Sequence, residues 1–488
     1  MLNKKQKHAW EKINQFIDER NLSTFYLLGY AGTGKTYLIG QIVGNMIATK
    51  KIDQVFICAP THQALNVIES SIRLNIVDTD NLNKIRFMTI HKLLEFKPII
   101  VTSDGSKTFK SIKESKFFKQ PETKLIIIDE CSMISKQMVT ELEKYAELYP
   151  IKIIFMGDRK QLPPIGEPES LIFTNIPKKY QYQILLDEIM RTKSPEIKEV
   201  CNIIRNWNKK DDLLKLLLPV HNKKSNAFKL YHKKTDYVNS SWFKYVVSKL
   251  ANQQIPIILP WKNETVNFYN MVIRKHIYGQ DNLSNFVIGD YVIFNNFYQS
   301  IDGDFFYTSD MIKILEINEK EHVPFNWSNL IISNPKSKLE KYFNTMIKKL
   351  DSIKYNIRIN IFTASRINVN NLTLESKKSV VKTIHCADLS EYETMINNIT
   401  EHIEFFFSQF RSDKLTNKLW KIFHTYLIDP YAHIKFGYST TVYKSQGSTF
   451  PIVIVDIEDL ASLKSYDEFQ LALYTAAGRA GCQLRFLV

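Results

Sequence analysis

Gly29-Tyr30-Ala31-Gly32-Thr33-Gly34-Lys35-Thr36 decides the reading of this chain, because an apolar run ending at Leu28 leads into it and a helix-compatible run from Tyr37 leads out. Glycines at both ends let successive backbone N–H groups turn inward around a phosphate chain, and the following helix adds the positive end of its dipole. Strand, loop and helix in that order read as a P-loop. Gly29, Gly32, Thr33 and Gly34 would cradle the phosphates, Lys35 would reach the β- and γ-phosphates, and Thr36 would ligate Mg²⁺. A glycine-rich turn that matched by chance would lack those flanks.

A nucleotide-holding loop does not by itself imply hydrolysis. Leu125-Ile126-Ile127-Ile128 is a continuous apolar run, as expected for a strand buried on both faces of a parallel sheet, and it ends in Asp129-Glu130. Carboxylates at the C-terminal end of such a strand face the same crevice as the P-loop. Asp129 is the expected Mg²⁺ ligand, and Glu130 the residue that orients or deprotonates the attacking water.

Of the 488 residues, 44% are hydrophobic and 24% charged, a composition that excludes disorder and leaves room for roughly three domains of ~150 residues each. Lys and Arg number 65 against 50 Asp and Glu, a net charge of +15 that favours a polyanionic partner without naming one. Cys58, Cys131, Cys201, Cys386 and Cys482 are far apart and odd in number, which points to reduced thiols rather than disulfides or structural zinc. The N-terminus has no signal-like apolar core, and no apolar run reaches the ~20 residues a bilayer requires. The expectation is a soluble protein of the cytoplasm or nucleus with no membrane partner.

Short apolar runs at Phe25 to Leu28, Val55 to Cys58, Leu125 to Ile128 and Ile151 to Phe155 alternate with helical patterns, implying an α/β unit with a parallel sheet over residues 1–193. Within it, Asp104-Gly105 between two β-prone runs suggests a hairpin in the span 95–123, with an ordinary surface loop an equal alternative. A second α/β unit is expected over 194–280 and 431–488, with strands at Ile255 to Leu259 and Ile452 to Val455. The span 281–430 reads as an insertion that begins with a small β-barrel, around Tyr291-Val292-Ile293-Phe294 and Met311 to Ile317, and continues as a Lys- and Asn-rich, partly helical stretch from 334 to 429. Asn208-Lys209-Lys210-Asp211 spells a guanine-reading pattern, but helical rather than strand spacing precedes it, and it reads as a solvated helix end.

Gly157-Asp158-Arg159-Lys160-Gln161-Leu162-Pro163-Pro164 adds a carboxylate and an amide after the fourth strand, suited to sensing a γ-phosphate. With it the chain resembles superfamily 1 helicases, in the branch containing RecD and the bacteriophage Dda helicase. Gln6 looks like that family's adenine-reading glutamine, Ala59-Pro60-Thr61-His62-Gln63-Ala64-Leu65 like motif Ia, and Met88-Thr89-Ile90-His91-Lys92-Leu93-Leu94 like motif Ib. Asp129-Glu130 and Gly157 to Pro163 are similar to motifs II and III, and Leu186-Asp187-Glu188-Ile189-Met190-Arg191 to motif IV. Gly437 to Thr449, with Thr441, Lys444, Ser445 and Gly447, resembles motif V. Leu473-Tyr474-Thr475-Ala476-Ala477-Gly478-Arg479-Ala480 resembles motif VI. Two positions depart from the pattern: Tyr443 stands where His is usual, and Gly478 where Ser or Thr is usual.

The resemblance implies two RecA-like P-loop domains, a strand-separating pin at 95–123 and an SH3-like barrel in the insertion. It also implies ATP and Mg²⁺ as cofactors, 5′-to-3′ movement on single-stranded DNA, and the separation of duplex DNA in replication, recombination or repair. Lys35, Glu130, Gln161, Arg191 and Arg479 are the expected catalytic residues. Gly447 joins Gln6, Asp129 and the P-loop in contacting the nucleotide. Pro60, Thr61, His62, Thr89, His91, Thr441, Lys444 and Ser445 are expected to contact the strand, with Phe109 a stacking candidate at the fork. Single-stranded and forked DNA are the implied partners, with a single-strand-binding protein a further candidate and a monomer the expected state. An RNA helicase, a translocase that does not unwind, and a non-hydrolysing nucleic-acid-binding subunit are the alternatives.

Overall fold

The computed structural model describes residues 2–19, 22–73, 82–111, 117, 124–174, 183–233, 237–252, 254–279, 285–368 and 373–488. The first part of the chain forms β1 (Thr24–Gly29), β2 (Gln54–Ala59), β3 (Ile85–Thr89), β4 (Phe96–Ile100), β5 (Lys107–Ser111), β6 (Lys124–Ile128), β7 (Ile151–Gly157) and β8 (Gln183–Leu186). Six of these make one sheet in the order β3-β2-β6-β7-β1-β8, and every pairing in it is parallel. All five residues of β6 are buried, as its unbroken apolar run requires. The edge strands β3 and β8 escaped the sequence reading because each is only partly buried: Arg86 interrupts the apolar residues of β3, and β8 offers only the short run Ile184-Leu185-Leu186. Crossover helices Lys35–Ala48, His62–Arg73 and Lys136–Leu148 close over the sheet, so Gly29, Ala59, Thr89, Ile128 and Gly157 all emerge along one edge.

A second parallel sheet combines β9 (Phe228–Tyr231) and β10 (Ile257–Leu259) with two strands from the end of the chain. Between them lies an insertion of β11 (Tyr291–Phe294), β12 (Tyr298–Gln299), β13 (Phe305–Phe306), β14 (Met311–Glu321), β15 (Arg358–Asn368), β16 (Thr373–Ile384) and β17 (Ile434–Phe436). The chain then returns as β18 (Phe450–Asp456) and β19 (Ala480–Leu487), and the second sheet runs β10-β18-β19-β9. The insertion is an antiparallel sheet in the order β16-β15-β14-β11-β17, with β12 and β13 forming a separate two-stranded hairpin.

The stretch from 334 to 429 is partly helical, as expected, but also holds two long strands that the sequence reading did not foresee. Helices Lys338–Ser352, Leu389–Phe410 and Asp413–Phe423 are present, but the long strands β15 and β16 separate the first from the second. The first six residues of β16 are exposed and, apart from Leu374, polar, and only its second half alternates with burial, so its strand character is hidden in a lysine-rich sequence. The three helices close over their own core around Phe343, Ile347, Ile403, Phe406, Leu419 and Trp420. Among the described residues no helix is long and apolar enough to cross a membrane, and all five cysteines are free.

Asp104-Gly105 does form the turn of a hairpin: β4 and β5 pair antiparallel with Pro98 opposite Phe109. Residues 112–116 and 118–123 of the expected hairpin span, and the expected boundary near 281, lie outside the described residues. The turn packs on the helical part of the insertion, where a Cβ on Gly105 would fall 2.4 Å from Trp420. Trp420 Nε1 donates to Thr102 O at 3.1 Å, His424 Nε2 lies 2.9 Å from Gly105 O, and Lys107 pairs with Asp429.

The inserted sheet is anchored by a buried ion pair. Arg274, on the helix Asn263–Tyr278, donates from Nε and Nη2 to both oxygens of Asp290 at 3.0 and 2.9 Å, with its guanidinium 3.6 Å from the centre of the Phe436 ring. Removing one partner strands a charge in a site from which water is excluded. Asp290→Ala is expected to cost about 3–5 kcal/mol, read as a lower denaturant midpoint for the transition that includes the inserted sheet; an unchanged midpoint would contradict the anchoring role.

Candidate functional site

The P-loop leaves β1 at Gly29 and enters the helix Lys35–Ala48 through Gly34, which caps it in a left-handed conformation (φ +78°). Gly32 is also left-handed (φ +76°), and a Cβ there would fall 2.4 Å from Cβ of Arg191, so both positions require glycine. The Gly32 carbonyl accepts from the N–H groups of Met190 and Arg191 at 2.6 and 2.8 Å, which joins the segment after β8 to the loop. Lys35 Nζ folds back onto the carbonyls of Gly29 and Tyr30 at 2.8 and 3.1 Å. The buried Gln6 donates to Thr33 O at 3.2 Å and accepts from Asn3 N at 3.0 Å, so both ends of its amide are engaged between its own helix cap and the P-loop.

Asp129 and Glu130 follow β6. Thr36 Oγ1 lies 3.4 Å from Asp129 Oδ2, a pair of hard oxygens at the mouth of the loop. Burial, helped by the neighbouring Glu130 charge, raises the Asp129 carboxyl to about 6, with Lys35 opposing. Glu130 adopts a left-handed backbone (φ +49°), a conformation that costs a non-glycine residue about 1–3 kcal/mol and persists at sites whose surroundings over-determine it.

The second sheet reaches into this site through the helix Tyr466–Ala477 and the residues that follow it. Arg479 is fully buried, with Nη2 donating to Gln161 Oε1, Nη1 3.4 Å from Ser448 O and 4.0 Å from Glu130 Oε1. Burial depresses its guanidinium to about 10, with Glu130 opposing, so it remains a cation at neutral pH. Arg191, exposed over much of its surface, donates to Gly478 O at 2.7 Å. Gly478, where a hydroxyl residue is usual, packs tightly on the P-loop: a Cβ there would lie 3.0 Å from Ala31 Cβ, so a larger residue would require the two segments to shift apart slightly. A Cβ on Gly447 would lie 3.2 Å from Ala64 Cβ of the first unit. Tyr443, the other departure, packs its ring 5.3 Å from Trp261.

One chain of hydrogen bonds across the two sheets is not readable from the motifs. Ala31 N, in the P-loop, donates to Tyr474 Oη at 3.1 Å, and Tyr474 Oη donates to Asp158 Oδ2 at 2.8 Å. Arg205 Nη1 then pairs with Asp158 at 2.8 Å while its guanidinium stacks 3.6 Å over Tyr30. Asp158 is thereby enclosed by partners instead of facing the phosphate position, which leaves Gln161 as the polar side chain of that loop beside Arg479. Arg205 lies on the helix Pro195–Asn206, just before the guanine-pattern decoy, and nothing in its local sequence marks it.

The expected strand-contacting residues divide between the two units. Thr61 Oγ1 accepts from Ala64 N at 3.2 Å, Thr89 Oγ1 from Lys92 N at 3.3 Å and Thr441 Oγ1 from Lys444 N at 3.4 Å. Each is a helix or turn cap whose hydroxyl proton is left to donate. Pro60 precedes the first of these caps. His91 lies 4.9 Å from the half-exposed Phe109 ring of the hairpin. Lys444 Nζ reaches Asn295 of the insertion. Ser445 is the exception: it is fully buried and its hydroxyl donates to Val442 O at 2.7 Å, so its side chain faces the turn and not a strand.

An AAA domain model matches residues 1–217 and a UvrD-like helicase C-terminal domain model matches residues 436–487. Uncharacterized protein R530 of Acanthamoeba polyphaga mimivirus is 49% identical over 495 residues, covering 100% of both chains. The ATP-dependent DNA helicase PIF1 of Emericella nidulans is 26% identical over 222 residues, 41% of this chain and 26% of that protein. The crystal structure of the Candida albicans Pif1 helicase aligns over 100% of this chain and 95% of its own at 15% identity, with a TM-score of 0.47.

The buried Asp158 carboxylate provides a direct test of the contact between the sheets. Arg205→Met leaves it without its cation and is expected to cost about 3–5 kcal/mol, whereas Tyr474→Phe, which removes a neutral hydroxyl from two partners, is expected to cost about 1–3 kcal/mol. Thermal melts of both variants check the order; a larger loss in Tyr474→Phe would overturn it.

Proposed function

Since the chain belongs to the superfamily 1 helicases, in the branch that includes RecD and Dda, we propose that it is an ATP-driven motor that moves 5′ to 3′ along single-stranded DNA and separates duplex DNA. The observation that carries this reading is Arg479 of the second sheet, fully buried beside Glu130 and Gln161 of the first. In this reading residues 1–193 are the first RecA-like domain, with 95–123 as its pin. Residues 194–280 and 431–488 are the second domain, which lends β17 to the sheet of the inserted domain, 281–430, with its SH3-like barrel. The chain acts as a monomer on single-stranded and forked DNA, in the cytoplasm or nucleus.

The donor set fits a Mg²⁺-nucleotide. Thr36 and Asp129 offer hard oxygens close together, and this ion characteristically takes one or two protein ligands and completes its shell from phosphates and water. Mg²⁺, when bound, neutralises charge on the β- and γ-phosphate oxygens. Lys35 and the N–H groups of the P-loop bind the phosphate chain, Glu130 orients the attacking water, and Arg191 and Arg479 stabilise the charge that develops on the transferred group. Gln6, hydrogen-bonded to Thr33 O beside the P-loop, is the residue that reads the adenine.

Entry of a phosphate chain requires an exchange of partners. Lys35 must leave the carbonyls of Gly29 and Tyr30, and Ala31 N must give up Tyr474 Oη. Nucleotide occupancy is therefore coupled to the seating of the helix Tyr466–Ala477 on the P-loop, and so to the relative position of the two sheets. A strand held by Thr61, His62, Thr89 and His91 on one side and Thr441 and Lys444 on the other would feel that change. These groups address phosphates and base faces rather than base edges, so binding is independent of sequence.

Hydrolysis by the purified chain, with and without single-stranded DNA, tests this reading. Strand-stimulated turnover is expected. Lys35→Ala and Glu130→Gln should each lower kcat about 10²-fold or more, and Arg479→Ala about 10³- to 10⁵-fold; undiminished turnover in any of them would reject the assignment. Duplexes with only a 5′ or only a 3′ overhang, as DNA and as RNA, test polarity and substrate, with unwinding expected from the 5′ overhang on DNA.

A further inference from the structure

His62, at the start of the helix that follows β2, lies face to face with Tyr307, which follows β13 in the insertion. The ring centres are 3.6 Å apart and the planes 13° from parallel. The two residues belong to different units of the fold. Neither side chain has a hydrogen bond to any described residue, so stacking alone holds them. Burial, with Lys92 and His91 nearby, pushes the imidazole down to about 4, which leaves it a neutral flat ring at physiological pH.

The stack continues outward on the insertion. Phe297 lies 5.6 Å from Tyr307, and Phe305 lies 5.9 Å from Phe297 with the rings 25° from parallel. Phe297 is 59% exposed and Phe305 48% exposed, an unusual surface position for two neighbouring phenylalanines. The same hairpin is tied to the second sheet's strand-facing turn: Ser309 Oγ donates to Lys444 O at 2.9 Å, and Lys444 Nζ reaches Asn295 Oδ1. The lysine's ammonium is held below its usual range by burial and by the nearby Lys435. Among the described residues no carboxylate pairs with either lysine. Aromatic faces beside unpaired cations are the combination that holds single-stranded nucleic acid without reading its sequence.

We infer that the β12–β13 hairpin of the insertion is a base-stacking platform for the threaded strand: one base is sandwiched between His62 and Tyr307, the next stack on Phe297 and Phe305, and the adjoining phosphates lie on Lys444 and Lys435. This rests on the strand-motor reading and adds to it a second stacking face, contributed by the insertion and opposite the first domain. Admitting a base means opening the rings to roughly double their 3.6 Å separation. The strand thereby replaces the direct contact between the two units with one made through itself.

Paired binding measurements on a thymidylate oligonucleotide and an abasic oligonucleotide of the same length separate base stacking from phosphate contacts. Each stacked base contributes roughly 5- to 150-fold in affinity. The wild-type chain is therefore expected to prefer thymidylate by at least about tenfold, the Tyr307→Ala/Phe297→Ala variant to lose most of that preference, and Tyr307→Phe to retain it. An undiminished preference in the double alanine variant overturns the platform alone. A wild-type chain that binds neither oligonucleotide overturns the strand-motor reading as well. Photocrosslinking of the unaltered protein to a strand carrying 5-iodouracil provides a second measurement independent of variant folding: crosslinks at Tyr307 or Phe297 support the platform, and crosslinks confined to His91 and Phe109 overturn it.

Discussion

A guanidinium removed from water makes the rest of this structure depend on the contact between its two parallel sheets. Arg479 is wholly buried, and its neighbours from the first sheet are a carboxylate 4.0 Å away and an amide oxygen within hydrogen-bond distance. A buried cation without such partners carries a desolvation penalty of several kcal/mol. The charge therefore favours the two sheets being together, and anything that draws Glu130 or Gln161 away alters the balance. A phosphate chain is well suited to do so, since it brings negative charge into the same crevice.

A second, hydrogen-bonded part of the contact is equally specific and encloses the buried Arg205–Asp158 ion pair. Ala31, Tyr474, Asp158 and Arg205 form a single hydrogen-bonded chain that begins in the P-loop and ends on the helix leading into the second unit. In a site of low polarity each member strengthens the next, and the loss of one leaves another unsatisfied. Gly478 eases the approach of its segment to the P-loop, because a Cβ there would lie 3.0 Å from Ala31 Cβ and one of the two segments would have to give way slightly. The departure from the usual motif coincides with close packing, and the Gly478 carbonyl accepts from Arg191.

The insertion makes contacts on both sides. Its helical part receives the tip of the β4–β5 hairpin through Trp420 and His424, while its β12–β13 hairpin meets the first unit at His62 and the second at Lys444. An element that touches every other part of the molecule is positioned to transmit movement among them. None of these contacts lies within one sequence motif. Each joins positions far apart in the chain.

How much of this was legible in the sequence follows from the range of the interactions involved. The P-loop, the apolar run into Asp129-Glu130 and the central strands are local patterns, governed by backbone freedom at glycine and by burial on both faces of a sheet, and a linear reading recovers them. The edge strands β3 and β8 were not recovered, because Arg86 interrupts the apolar residues of the first and Ile184-Leu185-Leu186 is a short run in the second, and β16 was hidden by the lysines in its exposed half. The hydroxyl of Ser445 could be read as available until its turn closed around it. By itself the sequence determined that a phosphate-holding loop and a pair of acidic residues share one sheet edge. Only the tertiary structure decided that Tyr474, Arg205, Gly478 and Tyr307 complete what faces that edge, because their roles come from contacts across units, where distance in space is unrelated to distance along the chain.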